Sequence, residues 1–166
     1  MSIDKTNLQD FLNLSVELTA FSEVELRGTG YSEKYYQTIL DVIGETIFKE
    51  LLNAYRNLSE AAGKDWPKKE QLLRQDLLSS RKLGPITRNI IKIWYVATWY
   101  PLPPYWRDEF GSRPNDGTFV VDAWAYPEGL LWPAVGAHPP GAKPFGYGSW
   151  TEKPADPKII ATFPKI

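Results

Sequence analysis

The sequence predicts a mainly α-helical protein, and three observations support this fold class. Apolar residues recur at three- and four-residue steps through the first hundred residues, which is the spacing of one helix face. Capping residues, glycine and proline interrupt this pattern. After residue 100, the helical spacing of apolar residues ends, and proline, glycine and aromatic residues become frequent. We therefore expect a bundle of about four to five helices over residues 1–100, with an irregular docking segment over residues 101–166 that packs on the same domain.

The first half of the scaffold is predicted to hold two helices. Gly28 to Gly30 reads as a turn that follows the first helix. Ser32 is a suitable cap for the second helix, whose apolar phase continues through Gly44 to a stop at Gly63. Because the phase is unbroken, we expect one long helix bent at Gly44 rather than two helices. The first helix is predicted over residues 4–24, since five apolar residues share one of its faces: Leu8, Phe11, Leu14, Leu18 and Phe21.

Two more helices are predicted before residues 101–166, which we call the proline-rich half of the chain. The Asp-x-Pro sequence at 65–67 is typical of a helix start, and this helix should reach about Ser80. The Gly-Pro pair at 84–85 begins the next helix, and the prolines at 101–104 prevent it from continuing. Its apolar residues follow steps of four, three and four: Ile86, Ile90, Ile93 and Ala97.

Residues 94–150 differ from the rest of the chain, because they hold six of the seven tryptophans and the only histidine. Proline and glycine prevent a long helix or regular strands there, whereas so many large aromatic residues are untypical of disordered chain. We expect one short helix within 122–133 and a short strand over 118–121. Fifteen aromatic residues follow position 92, which is more than a small helical scaffold can cover. The segment therefore predicts an exposed aromatic surface, as binding sites have.

Composition and charge exclude several classes of protein. A net charge of −1, from 19 basic and 20 acidic residues, argues against a nucleic-acid partner. The absence of cysteine excludes disulfides and iron–sulfur ligation, and a single histidine excludes a multi-histidine metal site. The chain has neither a glycine fingerprint for a dinucleotide nor an apolar stretch for membrane insertion. With no leader visible, we expect a cytoplasmic protein, the alternative being a periplasmic one whose leader was removed.

Candidate catalytic residues exist, but each has a plainer interpretation. His138 with Glu128 or Asp122 could form an acid–base pair, whereas a lone histidine more often has a structural role. The carboxylates of Asp108 and Glu109, with the two already named, could supply a pair for glycoside hydrolysis or could simply make caps and ion pairs. The tryptophans could also stack on sugar rings, as in a carbohydrate-binding domain.

Four stretches of the chain, read together, carry a likeness to a known family. They are residues 11–21 (FLNLSVELTAF), 84–95 (GPITRNIIKIWY), 125–132 (AYPEGLLW) and 136–150 (GAHP, GAKP and GSW), and the last is the most specific. The chain resembles the small subunit of the FAD-dependent sorbitol dehydrogenase family, which is related to the small subunits of gluconate, fructose and glucose dehydrogenases. The resemblance covers about residues 10–150.

The resemblance implies an accessory subunit with no catalytic role and no cofactor of its own. In that family the small subunit binds a large flavoprotein of the glucose–methanol–choline type, which carries FAD and oxidises a sugar or polyol. The small subunit supports the folding, stability or export of that partner, and a haem cytochrome subunit often completes the complex. The twin-arginine leader usual in the family is not visible in this chain.

We predict a set of residues at the partner interface, on the basis of the aromatic excess and of this resemblance. Aromatic residues serve both cores and interfaces, so some of them could be core residues instead. Glu128 could also fix the local turn. The predicted set is Trp94, Trp99, Trp106, Tyr126, Glu128, Trp132, His138 and Trp150.

Overall fold

The computed structural model describes residues 4–111, 114–137 and 139, and it confirms the mainly α-helical fold. None of the helices in these ranges is both long enough and apolar enough to cross a membrane. A π-helical turn, Leu73–Leu78, extends the fifth helix, and a 3₁₀ turn, Tyr126–Glu128, precedes the last. The helices are α1 (Lys5–Thr19), α2 (Glu23–Gly28), α3 (Ser32–Ile43), α4 (Glu45–Ala62), α5 (Trp66–Leu72), α6 (Leu83–Val96), α7 (Pro104–Phe110) and α8 (Leu131–Val135).

The first predicted helix is two helices in the structure. Helix α1 ends at Thr19, and Ala20 takes the left-handed conformation with φ of 60°. Ser22 then begins α2 with a capping box, in which its hydroxyl accepts from the backbone N–H of Glu25 while the Glu25 carboxylate accepts from the N–H of Ser22. The prediction of one helix over 4–24 is therefore wrong, because this local cap starts a new helix before the apolar pattern ends.

The predicted long helix is divided at Gly44 into α3 and α4. Gly44 has φ of 83° and ψ of 159°, a region that is open almost only to glycine. Its N–H donates to the carbonyl of Leu40, and its own carbonyl accepts from the N–H of Phe48. One residue thus ends the first helix and begins the second, so the expected bend is a complete break.

We expect Gly44→Ala to lower the free energy of unfolding by about 1 to 3 kcal/mol, because the β-carbon strains this backbone conformation. Urea denaturation monitored by circular dichroism measures the change. Gly28→Ala is the matched control, since a β-carbon there meets nothing within 4 Å. Equal stabilities for the two variants would contradict the assignment of strain to Gly44.

The predicted starts of the next two helices are confirmed. The Asp65 carboxylate caps α5 by accepting from the backbone N–H of Lys68 at 3.1 Å. Helix α6 contains the Gly-Pro pair at 84–85 in its first turn and ends before the proline run. Its predicted apolar face is completely buried: Ile86, Ile90, Ile93 and Ala97.

The core lies between α1, α3, α4 and α6, and aromatic rings fill its centre. Phe11 stacks on Trp94 with ring centroids 6.1 Å apart, and it meets Tyr36 and Phe48 edge-to-face. Tyr35 meets Trp94 edge-to-face at 4.9 Å. Trp94 is thus enclosed by rings from two helices.

The proline-rich half is more regular than predicted. Helix α7 was not expected, although prolines at its first turn are typical of a helix start. The Trp106 indole N–H donates to the carbonyl of Lys82 at 2.7 Å, which joins α7 to the start of α6. The predicted strand is confirmed as β2 (Phe119–Val120), which pairs antiparallel with β1 (Thr98–Trp99). The predicted short helix within 122–133 corresponds to the 3₁₀ turn and the start of α8.

Candidate functional site

Three aromatic residues follow β2 in the chain, and they include the most exposed aromatic side chain of the described residues. Trp124 is 80% exposed and Tyr126 is 43% exposed, while Trp132 is half-buried. The rings of Tyr126 and Trp132 meet edge-to-face with centroids 5.1 Å apart. The Trp132 indole N–H donates to the Tyr126 carbonyl at 2.8 Å, which fixes the orientation of the indole. We call Trp124, Tyr126 and Trp132 the aromatic platform.

Asp122 holds one end of the aromatic platform. One carboxylate oxygen accepts from the backbone N–H of Trp124 at 2.8 Å, and the other accepts from the ammonium group of Lys34 on α3. The bond with Lys34, followed by that with the Trp124 N–H, holds the pKa of the Asp122 carboxyl below its usual value. Asp122 is therefore ionised at neutral pH with both oxygens engaged, which makes it a poor proton acceptor for catalysis.

The other end of the aromatic platform rests on the last turn of α6. The Leu130 N–H donates to the Trp94 carbonyl at 3.0 Å, which satisfies one of the free carbonyls at that helix end. Gly129 packs so closely that a β-carbon there would lie 2.7 Å from the carbonyl oxygen of Tyr95. The turn is thus held against the helical body at Asp122 and again at residues 129–130.

Tyr31, which directly precedes α3, and Tyr35, which lies on α3, are both affected by the carboxylates of Asp122 and Glu128. Tyr31 stacks on Tyr35 with ring centroids 5.7 Å apart. Burial is the main cause that raises the pKa of Tyr35, and the charges of Asp122 and Glu128 raise it further. Burial also raises the pKa of Tyr31, again with contributions from both carboxylates. Asp122 thus lies beside the part of α3 that carries Lys34.

Three of the tryptophans predicted at an interface are core residues. Trp94 and Trp99 are fully enclosed, and Trp106 is 2% exposed. This corrects our expectation that they contact a partner, because an enclosed side chain is not available at the surface. These three tryptophans therefore have the core role that we gave as the alternative. His138 and Trp150 lie outside the described residues, so their predicted roles remain predictions.

Asp116 is a buried polar residue that our reading of the sequence missed. Its carboxylate accepts from the Trp99 indole N–H at 3.0 Å and from the Leu102 N–H at 3.0 and 3.2 Å. The Arg107 guanidinium lies 3.8 Å from it. Asp116 thus joins β1, the proline run and α7. The available signal was an Asn-Asp-Gly turn within the tryptophan-rich stretch, because indole N–H groups need acceptors when buried.

The remaining candidate carboxylates lie on α7. Glu109 makes a bidentate ion pair with Arg81, and this contact holds the pKa of its carboxyl below the usual value. Asp108 is exposed. Glu109 therefore has the ion-pairing role that we gave as the alternative to glycoside hydrolysis. Within the described residues, no group of three or more His, Cys, Asp or Glu side chains could hold a metal ion.

The aromatic platform is chemically suited to binding by stacking and apolar contact. Three of the predicted interface residues remain at least partly exposed: Tyr126, Trp132 and Glu128, the last of which is half-buried in the 3₁₀ turn. Trp124, which was not among our candidates, is the most exposed of the three rings. In comparisons with known proteins, no family model, no curated protein and no solved structure matches this chain.

Proposed function

We propose that this chain is a non-catalytic accessory subunit that binds and stabilises a large FAD-dependent sugar or polyol dehydrogenase of the glucose–methanol–choline type. FAD belongs to the partner in this proposal, and a haem cytochrome subunit is a possible third component. The observation that carries the proposal is the exposure of Trp124 and Tyr126 on a turn that the rest of the chain holds in place. The sequence resemblance supplies the identity of the partner.

The construction of the aromatic platform supports binding to another protein. Tryptophan and tyrosine are enriched among the residues that contribute most to protein–protein affinity. Rings held in place before binding lose less conformational entropy when the complex forms. Trp132 is fixed by its bond to Tyr126, and the turn itself is fixed by Asp122 and Leu130.

Co-expression with a flavoprotein encoded beside this chain tests the proposal. We expect the two proteins to copurify in fixed proportion and to elute together with the absorbance of bound flavin. We also expect the flavoprotein expressed alone to lose activity faster on heating, because partner binding stabilises the folded state. Two proteins that elute separately, with the flavoprotein equally stable alone, would contradict this function.

A stand-alone carbohydrate-binding domain is a second candidate, and the exposed indole of Trp124 is the observation that favours it. Sugar sites also need polar groups that bond to hydroxyls, and both oxygens of the nearby Asp122 are already engaged. Titration of sugars against the tryptophan fluorescence of the isolated chain separates the two candidates. A saturable response that Trp124→Ala abolishes favours the carbohydrate-binding domain.

A further inference from the structure

We propose that the partner flavoprotein binds the exposed face of α6 through a segment that carries carboxylate groups. This inference rests on the proposed function, and it specifies the chemistry of the partner at a second group of residues. We call Arg88, Lys92, Val96 and Tyr100 the α6 surface. Two features support the proposal: the cations of this surface have no carboxylate paired with them, and other contacts within the chain hold them in place.

The stretch of chain around α6 carries only positive charges. Residues 77–107 contain three arginines, two lysines and no aspartate or glutamate. Three of these cations pair with carboxylates elsewhere in the chain: Arg81 with Glu109, Lys82 with Glu50 and Arg107 with Asp116. The two that remain are Arg88 and Lys92, and neither forms an ion pair with a carboxylate of the described residues.

The α6 cations also differ from the other unpaired cations in the described part of the chain. Each of those is a lysine with an aspartate within three positions in the sequence: Lys5, Lys64 and Lys68. The acidic residues nearest to Arg88 and Lys92 in the sequence are Asp76 and Asp108, which lie outside α6 and the strand that follows it. The positive charge of the α6 surface is therefore not offset within its own stretch of chain.

Arg88 and Lys92 lie on one exposed face of α6, one helical turn apart. Both side chains are exposed, and Val96 continues the step of four with 37% of its surface exposed. Residues four apart on a helix are neighbours, about 6 Å from each other. A single acidic segment can therefore reach both cations, while Val96 and the 38% exposed Tyr100 offer apolar contact beside them.

Contacts within the chain hold both cations in place. Nη2 of Arg88 donates to the Leu78 carbonyl at 2.7 Å, and the other N–H groups of the guanidinium have no partner among the described residues. The Lys92 ammonium lies 4.9 Å from the centre of the Tyr100 ring. The buried Asn89 amide donates to the Tyr100 carbonyl at 2.7 Å and so fixes that residue. Cations positioned before binding lose less conformational entropy when a carboxylate arrives.

An acidic protein segment fits the α6 surface better than the other candidates. Residues 140–166 of this chain carry four lysines and two acidic residues, so their net charge has the same sign as the surface. A nucleic acid or an anionic membrane is a large polyanion, and a chain with a net charge of −1 does not attract it as a whole. Complementary charge therefore favours a carboxylate-bearing segment of the partner.

The first experiment measures the association rate of the purified full chain with the flavoprotein at low and at high salt. We expect the double variant Arg88→Gln with Lys92→Gln to associate about tenfold more slowly at low salt. The difference should fall below about twofold at high salt, because salt screens the attraction between exposed charges. Lys92→Gln alone, which keeps the bond between Arg88 and Leu78, should slow association by about threefold.

The matched control removes the same charge from another place. Lys64→Gln with Lys68→Gln changes two exposed lysines that are also four positions apart. We expect this variant to associate within about twofold of the wild-type rate. Circular dichroism of each variant checks that the helices are intact.

Carbodiimide cross-linking of the complex tests the chemistry of the occupant. The reagent joins a lysine amine to a carboxylate in contact with it, forming an amide with the loss of water. We expect mass spectrometry to find Lys92 joined to an aspartate or glutamate of the flavoprotein, and Lys92→Gln to remove this peptide. A complex in which other lysines of this chain are cross-linked but Lys92 is not would contradict the proposal.

The possible outcomes separate this inference from the proposed function. If the flavoprotein binds the wild type and the double variant at the same rate, or forms no cross-link with Lys92, this inference is overturned and the proposed function stands. No binding by the wild type overturns both. A cross-link from Lys92 to a second copy of this chain assigns the α6 surface to self-association, which also overturns the inference. Binding of the isolated chain to phosphatidylserine vesicles, lost in the double variant, overturns it in favour of a membrane.

Discussion

Asp116→Ala is expected to lower the free energy of unfolding by about 3 to 5 kcal/mol, because it removes the buried acceptor of two donors. The Trp99 indole N–H and the Leu102 N–H would both lose their bonds in a region that water does not reach. The charge of Arg107 would lose its nearby carboxylate as well. Denaturant unfolding monitored by tryptophan fluorescence measures the loss.

Two further variants test this explanation. Asp116→Asn retains one oxygen that can accept, so its stability should lie between those of the wild type and Asp116→Ala. Asp108→Ala, which removes an exposed carboxylate on α7, should change stability by less than about 0.5 kcal/mol. If Asp116→Ala were as stable as Asp108→Ala, the carboxylate would have no part in holding the proline-rich half together.

Trp94→Ala is expected to cost about 3 to 5 kcal/mol of stability, since it removes a large ring from the centre of the core. The ring contacts Phe11 and Tyr35, so its removal would leave a cavity between α1, α3 and α6. Thermal and urea denaturation both report the change. A destabilised chain that still binds its partner once folded would agree with a purely structural role for Trp94.

Trp94→Phe is the informative companion to Trp94→Ala. The Trp94 indole N–H is buried and has no hydrogen-bond partner in the described part of the chain. Phenylalanine keeps an aromatic ring and removes this unsatisfied donor, so we expect a cost below about 1.5 kcal/mol.

Trp124→Ala should change stability by less than about 0.5 kcal/mol, because its ring is exposed. A large loss of stability in Trp124→Ala would contradict its assignment to a binding surface.

The helical half was largely predictable because its signals are local. The buried face of α6 follows from the spacing of Ile86, Ile90 and Ile93, and the start of α5 follows from Asp65. The errors also have local causes. The capping box of Ser22 and Glu25 divides the first helix, and the backbone of Gly44 divides the second. Apolar periodicity alone does not reveal such breaks, because the same face can continue across them.

The sequence by itself determined the fold class, most helix positions and the presence of more aromatic residues than a small bundle usually holds. Only the tertiary structure decided which of those residues are enclosed and which are presented. Trp94 and Trp99 are enclosed, whereas Trp124 is exposed, although all three lie in the same aromatic-rich stretch. The physical reason is that burial depends on contacts between residues far apart in the chain, such as Phe11 with Trp94 and Lys34 with Asp122. The composition of a segment does not contain that information.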